Sequence, residues 1–198
     1  MSFLHTTRFH RGKLPHWEVE SGRYFVTVRL ADSLPREVVL RLQEIHRSIA
    51  EITPRSEAFV SLQREYFRTM EKHLDAGAGE CLLCQPVHAT VIVEELGSLA
   101  DWSVDVPHYT IMPNHWHALI APERDCTHSL GEIMKRLKGR TGKRLRSAIG
   151  GDGAIWQREW FDRWMRSDAE WAKTVAYIQN NPVKAGLASG LNEHPWTK

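Results

Sequence analysis

A tight chain reversal at Pro113-Asn114 constrains the fold of this 198-residue chain more than any other feature. Residues 104–112 and 115–121 are both strand candidates, and only these two residues separate them. Proline fixes its own φ angle and asparagine tolerates turn geometry, so the pair suits a tight hairpin. We therefore predict two adjacent antiparallel strands in the middle of the chain.

The segments on either side of this hairpin complete an α+β pattern, which we infer from apolar periodicity and from caps and breakers. The predicted elements are, in order, a strand at 23–32, helices at 35–52, 57–74 and about 87–97, the hairpin, a helix at 129–149, a strand within 155–166 and a helix from 168 to about 180, stopped by Pro182. This order is the split β-α-β-β-α-β arrangement of a ferredoxin-like, four-stranded antiparallel sheet. The first crossover is enlarged, and one C-terminal helix is added.

The bulk properties favour a single domain over residues 1–198. The chain is long enough to bury one core and shows no linker or low-complexity tract. No apolar run approaches the roughly 18 residues that a bilayer span requires, and the first residues lack the pattern of a signal peptide. We expect a cytoplasmic protein with no membrane function.

Basic residues are concentrated in two places, although the formal net charge is only +2. Residues 135–146 include seven basic and no acidic residues, and residues 1–22 form a basic N-terminal arm. Such patches fit a polyanionic partner, while the alternative for the helix is a merely solvated face. The candidate DNA-binding residues from these two patches are Arg8, Arg11, Lys13, Arg136, Arg140, Lys143 and Arg144.

Two histidines follow the tight reversal, within YTIMPNHWHALIAP. Because side chains alternate along a strand, His115 and His117 project from the same face, with Cβ atoms roughly 7 Å apart. The two imidazoles could hold one metal ion, or they could be a buried, hydrogen-bonded pair. The third strand of this fold is central, and we expect Trp116, Ala118 and Ile120 on the opposite face.

The last helix contains a second pair of polar residues. Tyr177 and Asn181 are four residues apart and therefore lie on one helical face. We predict an inward stripe of Trp171, Val175 and Ile178, with the tyrosine beside it. The alternative is a tyrosine that bridges core and solvent while Asn181 ends the helix before proline.

Several motifs together resemble one known family. MPNHWH is followed by a basic helix, then by WQREWFDR, and then by YIQNNPVKAGL about sixty residues after the histidines. This series resembles the tyrosine transposases associated with repetitive extragenic palindromes (REPs), relatives of the small single-tyrosine insertion-sequence transposases of the His-hydrophobic-His superfamily. The N-terminal HRGKLPHWEVESGRYFVTVRLADSLP is also similar, so the resemblance covers nearly the whole chain.

The resemblance implies a site and a chemistry. His115, His117 and Asn181 would hold one divalent ion, magnesium or manganese, although donor softness alone leaves zinc and nickel open. Tyr177 would be the nucleophile that cleaves and rejoins single-stranded DNA through a 5′-phosphotyrosine intermediate. The substrate would be a REP-type hairpin bound in the nucleoid, with Arg158 and Lys184 as further DNA contacts. We expect a monomer and leave a dimer open.

Two other functions remain possible at this point. A ferredoxin-like sheet can bind nucleic acid without any chemistry, so the chain could be a catalytically silent module that recognises hairpins. It could also be a metal-dependent phosphodiesterase that activates water, with Tyr177 incidental.

Overall fold

The structure is a computed structural model that describes residues 6–11, 15–19, 22–53, 56–191 and 193–198. Its strands and helices are β1 Thr6–Arg11, β2 Pro15–Val19, β3 Tyr24–Arg29, α1 Arg36–Glu51, α2 Glu57–Leu74, α3 Pro86–Gly97, β4 Val104–Asp105, β5 Tyr109–Ile111, β6 His115–Pro122, α4 Leu130–Ile149, β7 Phe161–Trp164 and α5 Asp168–Lys184. Short 3-10 helices precede and follow α3, at Leu82–Cys84 and Ser98–Trp102.

The main sheet is antiparallel, with strand order β4-β6-β3-β7, and β5 also pairs with β6. The strand predicted at 104–112 is thus split into β4 and β5, which both border β6. A hydrogen bond from the Met112 amide to the His115 carbonyl closes the predicted tight reversal, at 2.8 Å. The ferredoxin-like topology is confirmed. Strands β3 and β6, which correspond to the first and third strands of the predicted sheet, are central as expected.

The two faces of the central strands are buried against different helices. On β6, Trp116, Ala118 and Ile120 pack in one apolar cluster with residues of α3 and α4. Leu119 points to the other face, in a second cluster formed by residues of α1, α2 and α5. His115 and His117 share the face of Leu119 because the side-chain period of a strand is two. The histidines therefore face the layer of α1, α2 and α5.

The enlarged first crossover explains why this second face is closed. Helices α1 and α2 pack against each other, and α1 buries a stripe of Val38, Leu42, Ile45 and Ile49. Serine 56 caps α2 by accepting a hydrogen bond from the Phe59 amide. Because α2 runs across the face that carries the histidines, it can contribute side chains to their surroundings.

The end of the last helix and the N-terminal arm differ from the prediction. Helix α5 does not stop before Pro182 but continues to Lys184. Proline removes only its own N–H, and in the last turn the Ala185 amide still reaches the Asn181 carbonyl at 3.0 Å. In the predicted N-terminal arm, β1 and β2 form a separate two-stranded antiparallel hairpin.

Among the described residues, no helix combines the length and the apolar character that crossing a membrane requires.

Candidate active site

The two histidines of β6 lie at the centre of the closed face. Both side chains are fully buried, and their Nε2 atoms are 3.1 Å apart. At this distance the two nitrogens can share one proton or one cation, but two bare lone pairs would repel each other. The pair therefore marks the middle of a site rather than two independent core residues.

A neighbouring asparagine fixes the tautomer of His115. Asn114 donates from Nδ2 to the carbonyls of Leu74 and Ala78, so its Oδ1 must accept the hydrogen bond from His115 Nδ1, at 2.8 Å. Burial, followed by the charge of His117, lowers the pKa of His115 to about 3. The ring is therefore neutral, with the lone pair on Nε2 directed at the centre.

Neighbours from β3 orient His117 in the same way. Its Nδ1 is 2.8 Å from the hydroxyl of Thr27, which is directly opposite it in the sheet. The ring of Phe25 stacks on the imidazole, with centroids 5.3 Å apart. An outer hydrogen bond and a stacked ring are the usual means by which a ligand histidine is held in place.

The tyrosine of α5 reaches the same point. The Tyr177 hydroxyl is 3.4 Å from His117 Nε2 and accepts a hydrogen bond from Asn181 Nδ2 at 3.0 Å. Edge-on contacts with Phe25 and Phe67 hold the ring, at centroid distances of 5.8 and 5.9 Å. The four side chains His115, His117, Tyr177 and Asn181, which are far apart in the sequence, are thus gathered in one place.

The inward face of α5 differs from the predicted one. The buried positions are Thr174, Ile178, Asn181 and Pro182, whereas Trp171 and Val175 are only half-buried. The predicted stripe was therefore shifted by about one residue around the helix, because aromatic bulk at the rim resembles a core position in the sequence. In the structure, therefore, Tyr177 and Asn181 lie on the side of α5 that faces the sheet.

The sequence prediction missed one residue of the site, Glu71 of α2. Its buried carboxylate accepts a hydrogen bond from the Tyr177 hydroxyl, and its Oε2 is 3.4 Å from His117 Nε2. One ligand atom each from Glu71, His115 and His117 lie within 4.8 Å of one another. A signal was present in the sequence. Glu71 is four residues after Phe67 and three before Leu74, so an acid lies among the apolar residues on the inward face of α2.

The electrostatics of this cluster favour a bound cation. Burial raises the pKa of Glu71, but the charge and hydrogen bond of His117 outweigh it and leave the pKa at about 2, so the side chain is an anion. Burial, and then the negative charge of Glu71, raise the pKa of Tyr177. The phenol is therefore neutral here. A positive charge at the centre would lower its pKa, against the effects of burial and of Glu71.

Two oxygen atoms of the site show that the donor set fits a metal ion. Glu71 Oε1 and Asn181 Oδ1 are buried and have no hydrogen-bond donor among the described residues. Buried polar atoms are nearly always paired, and an ion is one of the few partners that satisfies several oxygens at once. Two imidazole nitrogens, a carboxylate and an amide oxygen are together a donor set for a divalent transition metal.

Two cavities are lined in part by Tyr177. The smaller, about 360 Å³, is lined by Glu71, Asp75 and Lys184 together with other residues of α2. The larger, about 420 Å³, lies between α2, α5 and β7. Both cavities are lined by Phe67, Arg68 and Tyr177, so the tyrosine can be reached from the surface.

The basic residues of α4 are mostly engaged by its neighbours. Arg140 Nε is 2.5 Å from Glu95 Oε2, and Arg144 contacts both Glu94 and Glu95 of α3. Arg136 donates to the Ser98 carbonyl and lies over the ring of Trp102. These guanidinium groups link α3 to α4, a role that the sequence alone did not predict.

The other candidate DNA contacts fall at different places. Lys143 and Arg158 are exposed. Lys184 lines the smaller cavity and pairs with Asp75 at 2.5 Å. The side chains of Arg8 and Arg11, which belong to β1, and the whole of Lys13 lie outside the described residues.

Comparison with known proteins identifies the segment that carries most of this site. Residues 91–181 match the family described as transposase, IS200-like. This segment, which is just under half of the chain, is similar to the IS200-like transposases. The matched segment includes His115, His117, Tyr177 and Asn181, and transposases are a class of enzymes. Glu71 lies outside the matched segment.

Individual proteins are also similar to this chain. An uncharacterised protein of Haemophilus influenzae is 24% identical over 52% of this chain and 74% of its own length. The structure of a REP-associated tyrosine transposase bound to a REP hairpin is 20% identical, covers 90% of this chain and 76% of that chain, and superposes with a TM-score of 0.49.

Proposed function

We propose that this protein cleaves and rejoins single-stranded DNA with Tyr177 as the nucleophile and a divalent ion held by His115, His117 and Asn181. The observation that carries the proposal is the distance of 3.4 Å between the Tyr177 hydroxyl and His117 Nε2, beside a second imidazole nitrogen. A phenol this close to the residues that would hold the ion is positioned to attack a phosphate brought to the same place. Magnesium or manganese is the proposed ion.

The covalent step exchanges one phosphodiester for another. The Tyr177 oxygen bonds to phosphorus, the bond from phosphorus to the 3′-oxygen breaks, and that oxygen leaves as a hydroxyl with the proton that the phenol loses. The bound ion would supply Lewis-acid stabilisation of the charge on the scissile phosphate. Because the number of phosphodiester bonds is unchanged, an incoming 3′-hydroxyl can reverse the step without ATP. Cleavage and joining are then one reaction in two directions.

The surroundings of Tyr177 support a role in positioning. Its ring is held edge-on by Phe25 and Phe67, and Asn181 donates to its oxygen. Lys184 lines the cavity that leads to the hydroxyl, where its ammonium group can attract a phosphate. A rigid phenol beside a cationic entrance is suited to an in-line attack on a nucleic acid backbone.

REP-type DNA hairpins are the proposed substrate, and the motif series MPNHWH, WQREWFDR and YIQNNPVKAGL supports this choice. A single tyrosine acts on one strand at a time, which favours single-stranded DNA that folds back on itself. Arg8, Arg11, Lys13, Arg136, Arg140, Lys143, Arg144 and Arg158 are the further residues that we propose for the contact with DNA. Nucleoid association and a monomeric state belong to the same proposal.

The proposal is tested by incubating the protein with manganese and a labelled single-stranded hairpin oligonucleotide. On a denaturing gel we expect labelled protein for the natural chain and none for Tyr177→Phe, which keeps the ring but removes the nucleophile. Cleaved DNA without labelled protein would instead support the phosphodiesterase that activates water. Binding of the hairpin without cleavage would support the catalytically silent module.

A further inference from the structure

Glu71 brings a carboxylate into the buried centre, where one of its oxygens has no hydrogen-bond donor among the described residues. Its side chain is only 5% exposed, and no lysine or arginine among the described residues forms an ion pair with it. A buried carboxylate is strongly destabilising unless a positive charge compensates it. The partners that the structure gives it are the neutral Tyr177 hydroxyl and His117, and its second oxygen has no donor in the described part of the chain.

The position of Glu71 is that of a metal ligand. Its carboxylate, His115 Nε2 and His117 Nε2 lie within 4.8 Å of one another, so one ion could contact all three. The unpaired atoms Glu71 Oε1 and Asn181 Oδ1 add to the donors at the same place. A carboxylate also compensates part of the charge of a divalent ion, which two imidazoles and an amide cannot do.

We propose that Glu71 is a ligand of the divalent ion in this protein, together with His115 and His117. The inference rests on the proposed function for the identity of the centre, and it adds a residue from α2 that lies outside the matched transposase segment. The same carboxylate contacts the Tyr177 hydroxyl, so binding of the ion and the hydrogen bonding of the nucleophile are coupled through Glu71.

The test is manganese binding to the full-length protein without DNA, measured by titration calorimetry after removal of metal with a chelator. Glu71→Gln keeps the size of the side chain but removes its charge, and we expect manganese affinity to fall by about 10- to 100-fold or more. The matched control is Asp75→Asn at the end of the same helix, because Asp75 pairs with Lys184 instead. The control should bind manganese like the natural chain.

Natural manganese affinity in Glu71→Gln would overturn the inference, even if that variant formed no DNA adduct. Circular dichroism checks that the variant is folded, and Glu71→Asp is used if it is not. The shorter carboxylate keeps the charge but withdraws the oxygens, so its manganese affinity should fall by about tenfold, and an unchanged affinity would contradict the inference. If the natural chain forms no adduct while Glu71→Gln still loses manganese, the proposed function fails and the ligand assignment stands.

The larger cavity supports a second, independent inference. Its walls combine aromatic rings, among them Phe67, Phe161 and Trp164, with a strong excess of positive charge. The cationic residues that line it are Arg64, Arg68, Arg163, Arg166 and Lys173. Among the described lining residues, one is acidic, Glu170, whose carboxylate accepts a hydrogen bond from the Arg166 amide.

This combination fits an unpaired nucleic acid strand. Cations along a groove attract backbone phosphates, and aromatic faces stack with unpaired bases. Tyr177 lines this cavity, so a strand lying in it would pass beside the tyrosine side chain. By contrast, two of the basic residues on α4, Arg140 and Arg144, are already paired with acids of α3.

We infer that the single-stranded part of the DNA substrate lies in this groove between α2, α5 and β7. The inference rests on the proposed function for the substrate class. Its test needs no catalysis, because binding is measured by fluorescence anisotropy with a chelator present. The DNA probes are a hairpin with a single-stranded tail and the same hairpin without one.

Arg64→Ala/Lys173→Ala removes two exposed charges of the groove, and Arg36→Ala/Arg47→Ala removes two exposed charges of α1 as a matched control. We expect the groove variant to lose about tenfold or more in affinity for the tailed hairpin but to bind the tailless one normally. Its salt dependence for the tailed probe should become shallower by about 0.7 per lost phosphate contact. Natural affinity of the groove variant for the tailed hairpin, or an equal loss for both probes, would overturn the inference.

Discussion

His115 and His117 each present one nitrogen to the centre because a neighbouring side chain binds the other nitrogen. Asn114 and Thr27 are those neighbours, at 2.8 Å in both cases. Neither contact involves the reacting atoms, yet both determine which lone pairs are available to an ion. The site therefore depends on residues that a search for ligands alone would overlook.

Thr27→Val removes the hydroxyl beside His117 Nδ1 while keeping the branched shape of the side chain. We expect manganese affinity to fall by about 10- to 100-fold, because the imidazole loses the contact that orients it. The measurement is titration calorimetry, with Thr90→Val on α3 as a control on the opposite face of the sheet. Unchanged manganese affinity in Thr27→Val would show that the stacked Phe25 ring is sufficient to hold His117.

The residues of the site differ in how far the sequence could predict them. The spacing of His115 and His117, and of Tyr177 and Asn181, places each pair on one face through local periodicity. The position of Glu71 beside Tyr177 depends on how α2 crosses the sheet, which is a contact between residues 106 positions apart. Local patterns carry no information on such a crossing, so this member of the site was missed.

At the scale of elements, ion pairs between acids of α3 and exposed arginines of α4 connect the two helices on the face opposite the site. Glu95 is buried and accepts hydrogen bonds from both Arg140 and Arg144. The sequence showed a helix with basic residues and no acids, and its acidic partners lie about 45 to 50 positions earlier in the chain. The basic face of α4, for which the sequence left DNA binding and simple solvation open, thus holds α3 and α4 together.

Glu95→Gln tests whether these ion pairs stabilise the fold, through the pH dependence of the free energy of unfolding. Burial raises the pKa of Glu95, but hydrogen bonds from Arg140 and Arg144 outweigh it, so the pKa in the folded chain is lowered. The stabilisation is therefore present above the ordinary pKa of about 4.5 and is lost as the pH falls through the lowered folded value. We expect Glu95→Gln to lose about 1–3 kcal/mol in the free energy of unfolding at pH 7, with the difference shrinking in acid.

Urea unfolding at a series of pH values measures this difference. Glu94→Gln is the control, because the Glu94 side chain is 54% exposed and its pair with Arg144 should contribute little. A constant gap between the natural chain and Glu95→Gln from pH 7 to pH 3 would contradict the assignment.

At the scale of the whole molecule, the sheet has helices on both faces, and the proposed chemistry is confined to one of them. The order of strands and helices could be predicted because each element has its own periodicity and the tight reversal at Pro113-Asn114 fixes two of them. The sequence could not predict that α1 and α2 close the second face of the sheet, because this closure depends on tertiary packing. That closure makes the two histidines fully buried and leaves Tyr177 as the accessible end of the site.

Metal binding to such a buried site should stabilise the whole fold. An ion that binds only the folded chain adds about 2.7 kcal/mol at a hundred times its dissociation constant, which corresponds to about 5–10 °C in Tm for a chain of this size. We expect manganese to raise Tm by this amount and a chelator to reverse the effect. His117→Ala should show no such rise in a thermal melt, and an equal rise in that variant would place the ion elsewhere.

The central claim, that the phenol of Tyr177 becomes covalently joined to DNA, is tested most directly by peptide mapping. The protein is incubated with manganese and a tailed hairpin, digested with nuclease and protease, and analysed by mass spectrometry. We predict a nucleotide attached through a 5′-phosphate to the peptide that contains Tyr177. Attachment to any other residue, or cleaved DNA with an unmodified Tyr177 peptide, would contradict the account.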